Sequence, residues 1–136
     1  MNALYLLTNI IEHSIEDALA VVKIDGIIYS LLEFCQCPDY EFRREAFYTF
    51  NALFVCFKEH KQYEVAAILP TVQCRKRGWN LLEICVSNLN AKTKQFKLEL
   101  QIIALVSTIL DIVPSLCEIF DQIEGVDAML EAQTSE

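Results

Sequence analysis

Residues 26–33 read GIIYSLLE, residues 78–83 read GWNLLE and residues 125–131 read GVDAMLE. In each, a glycine leads an apolar group that closes on a glutamate. The glycines stand 52 and 47 residues apart. An acid-bearing apolar segment precedes the first and the last, IEDALAVVKID at 15–25 and LCEIFDQIE at 116–124. Both have the spacing of a short amphipathic helix. A glycine between two helices tolerates positive φ and lets the helices approach closely. The three stretches therefore predict one kind of turn, used three times between helices.

A recurrence of about 40 to 50 residues built only from helices is the signature of armadillo or HEAT arrays. The helix punctuation agrees. Ser14 with Asp17, and Ser115 with Glu118, have the spacing of capping boxes that open short first helices. Pro114 ends the helix before Ser115. Pro38 and Asp39 separate a second helix (27–36) from a long third one (40–57). Asn90 and Thr93 separate the next such pair. The following third helix is expected over 95–113, with Leu98, Ile102, Leu105, Ile109 and Ile112 on one stripe. The predicted fold is all-α: a right-handed armadillo solenoid of about three repeats, partial at both ends. Its units are a partial repeat at 1–12, repeats at 14–57 and 60–113, and a partial repeat at 115–136. Strand alternation is poor and turns are too few for a sheet.

Bulk composition points the same way. The chain has 136 residues, 54% of them hydrophobic, with only three glycines and three prolines, which favours packed helices in one domain. The longest uncharged stretch of the C-terminal half, Leu100 to Leu110, is short of the roughly 20 apolar residues that span a bilayer. No basic segment opens the chain, so no signal peptide is expected, and a soluble intracellular protein is. The six cysteines (35, 37, 56, 74, 85 and 117) mostly sit among apolar residues at helical positions, as in ALFVCF and LLEICV. They are expected to be buried reduced thiols, and no spacing fits a metal site. Residues 1–97 hold 11 acids and all 11 Lys and Arg, whereas residues 98–136 hold eight acids and neither base. An acidic final third disfavours nucleic acid and anionic membranes as partners, and favours basic ones.

The candidate binding residues lie in ALYLLTN (3–9) and EAFYTFN (45–51), whose final asparagines are 42 residues apart. Tyr5 and Asn9 are spaced i, i+4, so they share a helix face. Phe47 with Asn51 repeats that spacing, and Tyr48 with Asn51 is i, i+3. In an armadillo stack the third helices line a concave groove. A column of Asn amides there could hydrogen-bond the backbone of an extended peptide as donor and acceptor. Rings between them would form slots for Lys or Arg stems, each worth about 0.5–2 kcal/mol in cation–π attraction. Rim acids would receive the charged tips.

Beyond these patterns, ALYLLTN resembles the ALW-x-LSN segment of the importin-α family, adaptors that carry nuclear-localisation signals. VVKIDGIIYSLLEF and DYEFRREAFYTFNAL resemble that family's V-V-x-x-G second helix and F-x-x-K/R-KEA-x-W third helix. AKTKQFKLELQIIALVSTIL is similar to its next repeat. CEIFDQIEGVDAMLEAQTSE is similar to its C-terminal I-E-E-x-x-G-L/I-D-x-I-E-x-L-Q-x-x-E signature. The resemblance implies a groove for basic peptides. Tyr5 takes the place of a groove Trp, Asn9 that of its Asn partner, and Glu45 that of the acid in KEA. The next ring is Tyr48 in one register and Phe47 in the other, and Asn51 pairs with it. Thr108 stands where the following repeat often has Asn. The resemblance also implies that the acidic repeats bearing Glu118, Asp121, Glu124 and Asp127 meet a nuclear export receptor, and that the chain acts in cytoplasm and nucleus. The family's basic importin-β-binding segment and major site have no counterpart, and RKR at 75–77 is too short to be that segment. Direct importin-β binding is not expected. The chain is expected to be a fragment, a truncated relative or a specialised module.

Catalysis is not expected. His13 and His60 stand singly at helix boundaries, and His60 beside Cys56 is more simply an exposed His next to a structural thiol. There is no phosphate loop or HExxH. Glu16 and Asp17 open a helix, where carboxylates favour the positive end. No cofactor is implied. The alternative to a peptide carrier is an armadillo scaffold or capping module that docks a protein partner with no peptide in the groove.

Overall fold

The structure is a computed structural model that describes residues 2–91 and 96–134. Among these the chain is helical, with no strand. The elements are α1 (Asn2–His13), α2 (Ile15–Val22), α3 (Ile27–Phe34), α4 (Tyr40–Glu59) and α5 (Tyr63–Ile68). A 3-10 turn (Leu69–Thr71) follows, then α6 (Leu81–Asn90), α7 (Phe96–Ile112), α8 (Leu116–Gln122) and α9 (Gly125–Thr134). The expected break at Thr93 and helix start at Gln95 lie outside the described residues.

A short, short, long cadence of helices runs twice, through α2–α3–α4 and through α5–α6–α7. The long α4 lies between α1 and α7 and packs on both. The short helices α2 and α3 pack on α4, α5 and α6 on α7, and α6 also meets α9. The cause is the stripe on α4: Phe47, Phe50, Leu53, Phe54 and Phe57 are all fully buried. Each such side chain stabilises the fold by about 1.5–3 kcal/mol when removed from water. The facing stripe of α7 is buried at Leu98, Ile102, Leu105 and Ile109, with Ile112 at its partly buried end.

The helix starts follow local chemistry, with two departures. Ser14 Oγ accepts from the Asp17 N–H at 3.1 Å and caps α2. Ser115 makes no such cap, because its backbone is already helical and the turn Val113–Leu116 carries the chain into α8. The box that does form opens α6: Asn80 Oδ1 accepts from the Glu83 N–H at 3.0 Å, and Glu83 Oε1 accepts from the Asn80 N–H at 3.1 Å. Gly26 and Gly78 have φ of 77° and 69°, as a glycine turn requires. At the third turn the left-handed residue is Glu124, with φ 63°, and Gly125 serves close approach instead.

Candidate functional site

The heptad-like spacing of α1 puts Tyr5, Thr8, Asn9 and Glu12 on one face. That face meets Arg44, Glu45 and Tyr48 of α4 and Gln101 of α7 around an open cavity of about 280 Å³. Four sequence-predicted residues, Tyr5, Asn9, Glu45 and Tyr48, are thus brought together. Tyr5 and Tyr48 are 64% and 43% exposed, so both side chains are open to a ligand.

Behind the cavity the two helices are locked by a buried hydroxyl pair. Thr8 Oγ1 and Thr49 Oγ1 lie 2.7 Å apart. Thr8 can also donate to Leu4 O at 3.1 Å, and Thr49 to Glu45 O at 2.9 Å. Two protons serve three contacts, so one hydroxyl donates to its own helix while the other donates across.

The electrostatics are acidic. Glu12 and Glu45 line the cavity against one cation, Arg44. Arg44 is itself held by Glu41, at 2.9 Å, and lies 3.9 Å from Glu45. Gln101 Oε1 is buried with no hydrogen-bond partner among the described residues, and so is Asn51 Oδ1. A buried acceptor without a donor costs about 1–3 kcal/mol.

Two predicted residues lie elsewhere. Phe47 is 0% exposed and sits in the α4 core stripe, which corrects its candidacy: no part of its ring is left for a ligand. Asn51 is partly buried one turn beyond Tyr48 and does not line the cavity. Thr8, Glu12, Arg44 and Gln101 were missed. Thr8 and Glu12 could have been found from the i+3 and i+7 spacing to Tyr5; Gln101, from a distant helix, left no local signal.

The C-terminal acids Glu118, Asp121, Glu124 and Asp127 are all exposed. Glu118 and Asp127 sit in the first turns of α8 and α9, where they also favour the positive helix ends. Thr108, at the expected groove position of α7, turns its hydroxyl back to Ala104 O at 3.0 Å.

A wider cavity of about 660 Å³ gathers His13, His60, Cys56, Glu12, Glu16 and Glu59, a grouping not expected from isolated histidines. His13 Nδ1 is 2.8 Å from Asp17 Oδ2. Burial first, and Glu59 second, push the Cys56 thiol up, which opposes a thiolate nucleophile. No group of three or more His, Cys, Asp or Glu among the described residues is placed to hold a metal ion, and no described helix is long and apolar enough to cross a membrane.

Fold and site together define an all-α protein of stacked helices with an acidic, tyrosine-flanked cleft between α1 and α4. Comparison of the chain with family models, with curated proteins and with solved structures gives no match.

Proposed function

We propose that the chain is an armadillo-type binding module whose α1/α4/α7 face takes an extended Lys/Arg-rich segment, as an importin-α-like adaptor does for nuclear import. The helix cadence and the side-by-side packing of α1, α4 and α7 support a solenoid reading. One observation carries the ligand reading: the cavity between α1, α4 and α7 is flanked by two exposed tyrosines, Tyr5 and Tyr48, and two carboxylates, Glu12 and Glu45. A lysine or arginine stem fits between Tyr5 and Tyr48, with its tip toward Glu12, Glu45 and Gln101. Asn9 is placed to bond the peptide backbone. About 280 Å³ suits one side chain of such a segment rather than a whole drug-sized ligand. The carrier role places the protein in cytoplasm and nucleus.

Arg44 competes with that ligand for Glu45, which gives the test its sharpest arm. Fluorescence anisotropy with a Lys/Arg-rich peptide should show binding that weakens as salt rises, since exposed charges are screened beyond about 8 Å at physiological ionic strength. Asn9→Ala and Glu45→Gln should weaken it and Arg44→Ala should tighten it. Equal binding of all three variants, or none by the parent chain at low salt, refutes the groove.

A second reading, a scaffold that meets a protein partner such as an export receptor through its C-terminal end, has its own support. Ile119, Val126 and Leu130 are exposed on the same two helices that carry Glu118, Asp121 and Asp127. Charge reversal at Glu118 and Asp121 should abolish partner binding there and leave peptide anisotropy unchanged.

A further inference from the structure

The acidic groove does not close at Glu12. That residue also lines the wider cavity of about 660 Å³, so the two cavities meet along the seam between α1 and α4. Both helices run from the one to the other. Tyr5 lines the groove and His13 the wider cavity on α1, and Tyr48 and Cys56 do the same on α4. At 1.5 Å of rise per residue, each pair is about 12 Å apart along its helix. An extended chain covers that distance in about four residues. The path straight across the helices offers less. Asn51 does not line the groove, and Thr108 gives its hydroxyl back to Ala104 O at 3.0 Å.

The walls of the wider cavity differ from those of the groove. Its floor is apolar: Ile15, Ala52 and Cys56 are partly buried against the core, and Val55 is 40% exposed. Among the described residues no tyrosine, tryptophan or phenylalanine lines it, so no ring there can flank a lysine stem or stack on a guanidinium. The charge sits at the rim. Glu12, Glu16 and Glu59 are exposed, and no lysine or arginine among the described residues lines the cavity. His13 is engaged at the same rim by Asp17, at 2.8 Å. An apolar floor under an acidic rim asks for a different side chain from the one that fits between Tyr5 and Tyr48.

We propose that the segment bound by the groove carries an apolar anchor, a leucine or an aromatic side chain about four residues from the groove lysine or arginine, and that this anchor fills the second cavity. The inference rests on the groove reading and extends it: the segment leaves the groove along the α1/α4 seam. The anchor removes Val55 and its half-buried neighbours from water. Basic residues beside the anchor face Glu12, Glu16 and Glu59 at the rim. One basic, singly anchored segment thus matches floor and rim together. A lysine at the anchor position would leave the floor wet, and an apolar segment without bases would desolvate the rim carboxylates unpaired. At about 660 Å³ against about 280 Å³, the second cavity also has the room for a ring that the groove lacks.

The test is fluorescence anisotropy at near-physiological salt with labelled peptides of equal length. One is Lys/Arg-rich with serine filler. A series replaces one serine by phenylalanine at increasing distance from the central lysine, on either side of it. Controls place lysine at the anchor position, or keep the phenylalanine and replace every base by serine. The expected result is binding at least about tenfold tighter than that of the serine peptide when phenylalanine stands at the stated spacing on one side, with the gain lost when it is adjacent or about twice as far. Val55→Asn, an exposed change, should remove the gain and leave binding of the serine peptide and the circular dichroism unchanged. Binding of the serine peptide with no gain from phenylalanine at any spacing overturns the anchor and leaves the groove standing. Binding by none of the peptides refutes groove and anchor together. A gain that is equal at every spacing, that survives Val55→Asn, that lysine reproduces, or that persists without the bases also overturns the proposal.

Discussion

Replacing Gly125 by alanine is the most direct check on the third turn. A Cβ built there lies 2.3 Å from Phe120 Cε1, 2.4 Å from Cζ and 2.5 Å from Cδ1. Ordinary contact begins near 3.4 Å, so the ring must withdraw by about 1 Å. Phe120 is 1% exposed and has no open side to swing into. Overpacking of this kind costs about 1–3 kcal/mol, and expelling the ring instead forfeits about 1.5–3 kcal/mol of burial. We expect Gly125→Ala to lower stability by about 2–3 kcal/mol in urea unfolding followed by far-ultraviolet circular dichroism. Gly78 provides the contrast. Its Cβ would meet nothing within 4 Å, so Gly78→Ala carries only the strain of φ 69°, about 1–2 kcal/mol. Glu124→Gly relieves a left-handed glutamate and should be neutral or stabilising by up to about 1 kcal/mol. A loss for Gly125→Ala smaller than that for Gly78→Ala refutes the close-approach account of this turn.

Phe47→Ala should destabilise by about 3–5 kcal/mol, while Tyr48→Ala should cost under about 1 kcal/mol and act on peptide binding instead. Equal losses in a urea series would mean that the phase of α4 is misjudged. Thr8→Val and Thr49→Val should each cost about 1 kcal/mol, and the double variant no more than either single, because two apolar partners leave no hydroxyl unpaired. Additive losses would exclude the shared-proton arrangement. The thiols give a pH dependence. Burial, and then the neighbouring Cys85 thiol, hold Cys35 far above its ordinary value, and burial alone holds Cys85 above its own. A raised value means that the folded chain keeps protons which unfolded thiols release above about pH 8.5. Stability should therefore be intact below that pH and fall as pH rises beyond it, by about 1.4 kcal/mol per unit per thiol. Urea midpoints between pH 8 and pH 10 that do not move, or a slope unchanged in Cys85→Ala, would count against this.

How much of this was legible depended on how local the cause is. The 3.6-residue stripe of α7 and the Ser14 cap follow from neighbours within one turn, and both were readable. The Asn80–Glu83 box was equally local and was passed over in favour of the glycine beside it. Phe47 and Tyr48 differ by 100° on a helix, so one must face the core when the other faces out. The phase was present in Phe50, Phe54 and Phe57, which share the Phe47 side, and a strict moment along α4 would have chosen Tyr48. Gly125 was read correctly as a tight place, but which residue turns left-handed depends on where the Phe120 ring packs, and no short window contains that. Gln101 and the Thr49 lock are further away still: their partners lie on other helices, and only the packing of α1, α4 and α7 brings them together. The RKR loop at 75–77 reads in the sequence only as too short for an importin-β-binding segment. Its support comes from Tyr29, Trp79 and Gln36, of which only Trp79 is near in sequence.

Besides the seam cavity, the helix α4 walls two others, and its packing decides whether they communicate. Consecutive residues of α4 face different cavities, Arg43 one that Trp79 and Asn88 also line and Arg44 the acidic groove. Coupling between them would need α4 to hold two arrangements of similar free energy. Four fully buried phenylalanines and Leu53 oppose that, since a shift of α4 would unseat several side chains worth about 1.5–3 kcal/mol each. The Thr8–Thr49 bond fixes it to α1 as well. A rigid beam of this kind keeps the groove preformed. A ligand in the groove should therefore leave the packing on the far side of α4 unchanged, and amide shifts at Asn88 that move when the groove is filled would refute this.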